Sequence, residues 1–153
     1  MKYKIRKAKL SDAEGLGRLY LEFWGPHRNA DPLIKMNRKI TLKKEIESAK
    51  KEIKSKKSLT FVADKDGEVI GFIELLIKKN DKCFKVKEYG YLNAAATLKK
   101  YRGKGVAKAL AKVGFKFLKD KGIKYVQGRV YNTNQTALKA WEKIGLKPQS
   151  TML

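Results

Sequence analysis

Tyr101-Arg102-Gly103-Lys104-Gly105-Val106-Ala107-Lys108-Ala109-Leu110 is the stretch on which the fold turns. Two glycines stand directly before an apolar stripe at Val106, Leu110, Val113 and Phe117, whose spacing predicts a helix. A helix start leaves backbone N–H groups without partners and carries partial positive charge. Glycines let the backbone approach a bound anion and adopt positive φ. Together they form a cradle for a phosphate or pyrophosphate, with Lys100, Arg102 and Lys104 adding positive charge around it. No Gly-Lys-Ser/Thr ends the loop, and the third glycine of a dinucleotide fingerprint is absent. Taken alone, Gly-x-Gly before a helix reads as a plain glycine turn, so the flanking sequence carries the decision.

Upstream, Lys2 to Lys7 reads as a strand, and Ser11-Asp12-Ala13-Glu14 as a capping box with Ser11 as the cap. Ala13, Leu16, Tyr20, Phe23 and Trp24 then follow helical spacing up to Gly25-Pro26. His27 to Met36 is a connection. A second helix is expected over Thr41 to Lys56, with Leu42, Ile46, Ala49 and Ile53 inward and lysines outward. Leu59 to Ala63 and Val69 to Ile77 read as strands joined by a turn at Asp64-Lys65-Asp66-Gly67. Asn80-Asp81 marks a further turn, and Phe84 to Thr97 a third strand of this group. Downstream, Lys121-Gly122 ends the loop's helix, Tyr125 to Tyr131 forms a strand, and Asn134 caps a helix that buries Ala137, Leu138, Trp141 and Ile144 and stops at Gly145. Leu146 to Met152 is expected as a last strand. The order β-α-α-β-β-β-α-β-α-β predicts an α/β domain with a mixed sheet. With no repeat, linker or low-complexity segment, residues 1–153 read as one domain.

Composition narrows the function classes. The chain has 153 residues, enough for one sizeable core, and 42% hydrophobic residues to fill it. No apolar run approaches the roughly 18 residues a membrane span needs, and the N-terminus lacks a secretory h-region. One cysteine, Cys83, and one histidine, His27, exclude an internal disulfide, a cysteine-rich metal site and a multi-histidine site. A cytoplasmic, reduced, metal-independent protein is the expectation. The formal net charge of +22 comes mainly from lysine. It reads either as an anionic partner or as a solvated lysine-rich surface. Because the lysines are spread along the whole chain and arginine is sparse, the second reading is preferred.

The loop, as Lys100-Tyr101-Arg102-Gly103-Lys104-Gly105, resembles the acetyl-CoA loop of the GNAT N-acetyltransferase superfamily, Gln/Arg-x-x-Gly-x-Gly/Ala, with lysine in place of the usual first residue. A second signature of that family, Asn-x-x-Ala followed by an aromatic four residues later, is matched by Asn134-Gln135-Thr136-Ala137 and Trp141. The opening, Ile5-Arg6-Lys7-Ala8 with Ser11-Asp12-Ala13-Glu14, and the element order to Leu153 are similar to the family as well.

The resemblance implies an acetyl-CoA-dependent N-acetyltransferase in which an amine attacks the thioester directly. Acetyl-CoA would pair along Asn93-Ala94-Ala95-Ala96-Thr97, with a backbone N–H near Ala95 or Ala96 polarising the carbonyl. Its pyrophosphate would sit on Lys100, Tyr101, Arg102, Gly103, Lys104, Gly105, Val106 and Ala107, with Asn134 and Trp141 completing the cofactor site. A general base is needed, yet the family's usual strand positions hold Asn93 and Ala94. Glu74, which interrupts Phe72-Ile73-Glu74-Leu75-Leu76-Ile77, is the preferred candidate and Glu88 the other; taken singly, Glu74 reads more readily as an outward-facing residue on a half-exposed strand. Glu22 and His27 are candidates for the border of the acceptor pocket. The family often protonates the leaving thiolate from a tyrosine where this chain has Trp141, an indole too weakly acidic for that task. Tyr131, water, or slow turnover are the alternatives. The acceptor, a small molecule or a protein amine, is not readable; the charge argues against free polyamines unless the pocket is locally acidic. Family members are often dimers, but nothing in this sequence fixes a homodimer. Two rival functions stand beside this one: a catalytically weak acyl-CoA binder, and a basic nucleic-acid-binding module, which calls for a localised basic stripe with interleaved aromatics. The lysine-rich segment from Lys43 to Lys57 has no aromatic residue.

Overall fold

A computed structural model of the chain describes residues 1–27 and 40–150. One sheet contains β1 (Lys4–Lys7), β2 (Ser58–Lys65), β3 (Glu68–Lys79), β4 (Glu88–Thr97) and β5 (Val126–Gly128), in that spatial order. The first four strands are antiparallel neighbours, and β5 runs parallel to β4. Alternation along β2 and β3 sorts their side chains onto two faces. Val62, Val69 and Phe72 pack against Leu16, Leu19 and Tyr20 of α1 (Ala13–His27) and Ala49 of α2 (Leu42–Lys54). Phe61, Ala63, Ile73 and Leu75 pack against Leu110, Ala111 and Leu118 of α3 (Val106–Asp120), with Trp141 and Ile144 of α4 (Gln135–Ile144) at the margin. Each fully buried Leu, Ile or Phe of these layers contributes about 1.5–3 kcal/mol by leaving water.

The turn between β2 and β3 is tighter than expected. Both strands run on until only Asp66 and Gly67 remain, with φ of 52° and 88°. Two consecutive positive φ values match the right-handed twist of the flanking strands, and Asp64 Oδ1 accepts the Gly67 N–H at 2.8 Å.

A 3-10 turn, Leu10–Asp12, precedes α1 and differs from the expected capping box: Asp12 closes it, its Oδ2 accepting the Lys9 N–H at 2.8 Å. Arg6 of β1 grips the same carboxylate at 2.7 and 2.8 Å and reaches Asp64 Oδ2 at 2.8 Å. Burial works against an ionised Asp12, but the Arg6 guanidinium and the Lys9 N–H outweigh it and hold the carboxyl below its usual range. The Gly67 N–H, then Arg6, do the same for Asp64. Arg6→Ala leaves two buried carboxylates without their cation and is expected to cost about 3 kcal/mol in urea unfolding at neutral pH. Both carboxyls have lowered folded-state values, so the network's contribution is present above the ordinary carboxylate range and fades as pH falls through the lowered values. The gap between variant and wild type should close in acid.

Several elements differ from expectation, among them β5, which covers only Val126–Gly128 of the expected Tyr125 to Tyr131. Helix α1 continues past Gly25 to His27, where ring contacts of His27 with Phe23 (4.5 Å between centroids) and of Phe23 with Trp24 (5.3 Å) hold the last turn. The buried line of α3 is Val106, Leu110, Gly114 and Leu118, while Val113 is exposed and Phe117 half-buried. A Cβ on Gly114 would meet Leu75 Cδ1 at 2.7 Å, so the helix lies against β3 through its glycine, which an apolar-stripe reading passes over. Strand β4 starts at Glu88 rather than Phe84, because Lys87 Nζ donates to the carbonyls of Lys82 and Phe84 and closes residues 80–87 into a loop. Residues 146–150 form no strand: the Leu146 N–H is taken by the Trp141 carbonyl at 3.1 Å, and Pro148 has no N–H to offer a ladder. The rest of that expected strand, and most of the connection after His27, lie outside the described residues.

Candidate active site

Strand β5 pairs with only Gly90, Tyr91 and Leu92 of β4. Beyond Leu92, β4 keeps β3 on one side and, among the described residues, has no strand on the other. Asn93-Ala94-Ala95-Ala96-Thr97 is therefore an open edge whose outward backbone groups can receive an extended ligand as a strand would be received. Its side chains are small, with Ala95 against the α3 layer and Ala94 and Ala96 against the α1 layer.

This edge leads into the glycine loop. Gly103 and Gly105 have φ of 73° and 80°, and a Cβ at either would meet nothing within 4 Å. The glycines are thus required by backbone conformation in front of open space. Thr41 caps α2 and Asn134 caps α4 through side-chain oxygens, but no side chain caps α3. The Gly105 carbonyl accepts from Ala109 at 3.0 Å, so the N–H groups of Val106, Ala107 and Lys108 have no partner within the helix. An uncapped helix start behind two positive-φ glycines fits a pyrophosphate.

The basic residues of the loop are arranged differently from expectation. Lys100 pairs with Glu68 at 2.7 Å and the Tyr101 hydroxyl donates to the same carboxylate at 2.8 Å, so both anchor the loop to the β2–β3 hairpin. Arg102 donates to the Thr97 carbonyl at 3.0 Å and pairs with Glu22 of α1 at 2.9 Å. Lys104 has no carboxylate partner among the described residues and stands 5.6 Å from the Tyr101 ring.

Glu74 is buried, at 3% exposure. In the register Glu74 faces Ala94 and Leu75 faces Leu92, which leaves Asn93 as the extra residue of a β-bulge. The bulge turns the Asn93 amide onto Glu74 Oε1, while the Tyr20 hydroxyl donates to Oε2 at 3.3 Å. Asn93 is itself solvent-exposed, so it joins the open edge of β4 to the buried carboxyl. Burial raises the Glu74 carboxyl above its usual range; Asn93 opposes this, Glu52 reinforces it, and Tyr20 opposes it again. Thr60 lies opposite Glu74 in the β2–β3 register, and its buried hydroxyl has no hydrogen-bond partner among the described residues.

Tyr131 follows β5, with its ring 5.7 Å from that of His27, which brings the chain leaving β5 against the end of α1. Trp141 is half-buried on the α3 layer, and Asn134 Oδ1 is engaged with the Ala137 N–H at 3.2 Å. Glu88 lies at the opposite end of β4, away from the loop. Tyr20, Asn93 and Thr60 were not picked out as a group by sequence. Tyr20 scans as one more apolar position on its helix, and a bulge leaves no mark in a sequence. Among the described residues no three His, Cys, Asp or Glu side chains gather as a metal site, and no helix is long and apolar enough to cross a membrane.

Comparison with known proteins supplies the class. The model of the acetyltransferase (GNAT) family matches residues 14–146, and the chain belongs to that family. It is accordingly an acetyltransferase of the kind that uses acetyl-CoA. No curated protein sequence matches the chain significantly. Among solved structures, an aminoglycoside N-acetyltransferase AAC(6')-Iy in complex with CoA aligns with a TM-score of 0.80 and 18% identity, covering 99% of this chain and 92% of that one. A tetramutant of the BH1408 protein from Bacillus halodurans gives 0.84 and 16%, covering 98% and 97%. The aminoglycoside 6'-N-acetyltransferase AAC(6')-Ih from Acinetobacter baumannii gives 0.78 and 14%, covering 99% and 95%. At these identities the likeness is one of fold.

Proposed function

We propose that the chain transfers an acetyl group to a primary amine by direct attack on the thioester, with Glu74 as the general base. The observation that carries this reading is the Asn93 bulge, which couples the open edge of β4 to a buried carboxyl of raised proton affinity. When bound, acetyl-CoA supplies a thioester carbon for the amine and a thiolate leaving group. Uncapped N–H groups of the Gly103 to Ala107 segment hold the pyrophosphate, with Lys104 as its free cation. An outward N–H at Ala95 or Ala96 donates to the carbonyl oxygen as charge develops there. The exposed edge of Trp141 covers the apolar arm.

Glu74 takes the amine proton through a water held at Asn93, since its own carboxyl is buried. Asn93 and Tyr20 fix its two oxygens. Glu45 and Glu52 of α2 act electrostatically on Tyr20 together with Glu74. Glu74, with Glu52 acting on it from α2, gives this side of the sheet negative charge inside a strongly cationic chain, and an acceptor arriving as an ammonium ion is favoured there despite the +22 overall charge. Aminoglycosides, for which two of the three similar structures are named, belong in an acceptor screen beside polyamines and peptide amines.

The test is CoA release from acetyl-CoA over such a panel, with the acetylated product identified by mass. Amine-dependent release supports the reading. Acetyl-CoA binding with no amine-dependent release across the panel would leave the acyl-CoA binder. We assign the return of a proton to the thiolate to Tyr131, so Tyr131→Phe is expected to lower kcat by about tenfold or more with KM for acetyl-CoA little changed. An unchanged kcat assigns that proton to water.

A further inference from the structure

At the end of the sheet away from the glycine loop, the end of β3, the 80–87 loop and the turn after α3 enclose a cleft of about 560 Å³. Lys79, Lys82 and Lys87 line one wall, Lys121 and Lys124 the other, and Glu88 is the single acidic lining residue. None of these five lysines has a carboxylate within ion-pair distance among the described residues; the chain's paired cations lie elsewhere. The floor includes Val86 and Ile123. Tyr125, 62% exposed, stands on the lining, and Phe84, 52% exposed, lies on the same loop as Lys82 and Lys87. The five lysines fall in two separate stretches of sequence, so their convergence beside Tyr125 appears only in the fold.

Lysines without carboxylate partners around a groove, Lys87 alone being held by the carbonyls of Lys82 and Phe84, with the Tyr125 face on the lining and no arginine fork, suit a phosphodiester backbone whose bases stack without sequence readout. An acidic peptide would use the cations and leave the Tyr125 ring idle. We propose that this cleft docks single-stranded nucleic acid, as a function separate from acetyl transfer at the opposite end of the sheet.

The test is fluorescence anisotropy of a labelled oligothymidylate of roughly 12 nucleotides over a salt series, with a duplex of equal length and a poly-glutamate peptide as competitors. Three variants are compared with wild type: Lys79→Gln/Lys121→Gln/Lys124→Gln in the cleft, Tyr125→Ala, and Lys43→Gln/Lys44→Gln/Lys51→Gln on α2 as an equal-charge control. Each lost single-strand phosphate contact lowers the log–log salt slope by about 0.7, so the cleft variant should lose about 2 from the slope and tenfold or more in affinity, the control far less. Tyr125→Ala should weaken single-strand binding by about fivefold to tenfold, one stacked base, and leave duplex binding unchanged. Equal losses in the cleft and control variants overturn the proposal, as do poly-glutamate binding as tight as the oligonucleotide's or the absence of saturable binding. Acetyl-CoA titrations of the same variants keep this outcome separate from that at the glycine loop.

Discussion

Glu74→Gln is expected to lower kcat by about 10²–10⁴-fold, the range for loss of a positioned general base, while acetyl-CoA affinity stays within about twofold. The replacement keeps the shape of the side chain and one acceptor oxygen, so its place between Tyr20 and Asn93 stays filled. The same substitution should raise stability. Burial raises the folded-state pKa of Glu74, so between the unfolded and folded values the native state binds more protons than the unfolded state. Stability therefore falls as pH rises through that window, and above it the charged carboxyl is a cost that glutamine removes. An inactive variant whose melting temperature exceeds the wild type's increasingly as pH rises through that window, and not in acid, is the combined signature of a functional carboxyl held in an unfavourable place. Wild-type kcat/KM should rise with pH through the same raised value, and Glu74→Gln should lose that limb. If the variant keeps near-normal kcat, Glu74 is a structural acid and the base lies elsewhere.

Gly105→Asp is expected to weaken acetyl-CoA binding by about 100-fold or more while the protein stays folded. The cost to the fold is bounded: φ of 80° at a residue with a Cβ costs about 1–2 kcal/mol, and no atom lies within 4 Å of where that Cβ would stand. The cost to binding is larger, because the carboxylate enters the open space in front of the α3 N–H groups and repels a pyrophosphate directly. Gly105→Ala separates the two effects, carrying the strain without the charge. Titration of acetyl-CoA into both variants, with circular dichroism melts beside them, checks the expectation. Equal affinities for wild type and Gly105→Asp would remove the pyrophosphate from this loop.

The order of elements up to α4 and the position of the glycine loop follow from local signals: helical periodicity, glycine turns and the Asn134 cap. What escaped is tertiary. Gly114 reads as a gap in an apolar stripe until Leu75 is seen against it. Lys100 and Arg102 read as free phosphate-binding cations until Glu68 and Glu22, distant in sequence, take them. Glu74 could face either way by alternation, and only a bulge of one residue on the neighbouring strand supplies its amide partner. Short strands are equally opaque: β5 is three residues because β4 departs from it after Leu92, and that departure is what opens the site.

The most direct measurement is calorimetric titration of acetyl-CoA at two salt concentrations, with ATP and 3′-dephospho-CoA as controls for a chain of +22 charge. Stoichiometric binding of acetyl-CoA, clearly tighter than ATP and persisting in added salt, is the predicted result, because the open β4 edge and the α3 N-terminus hold the molecule by directional backbone contacts. Binding that is alike for all three ligands and vanishes together with salt would contradict it, and would reduce the loop to a helix start on a charged surface.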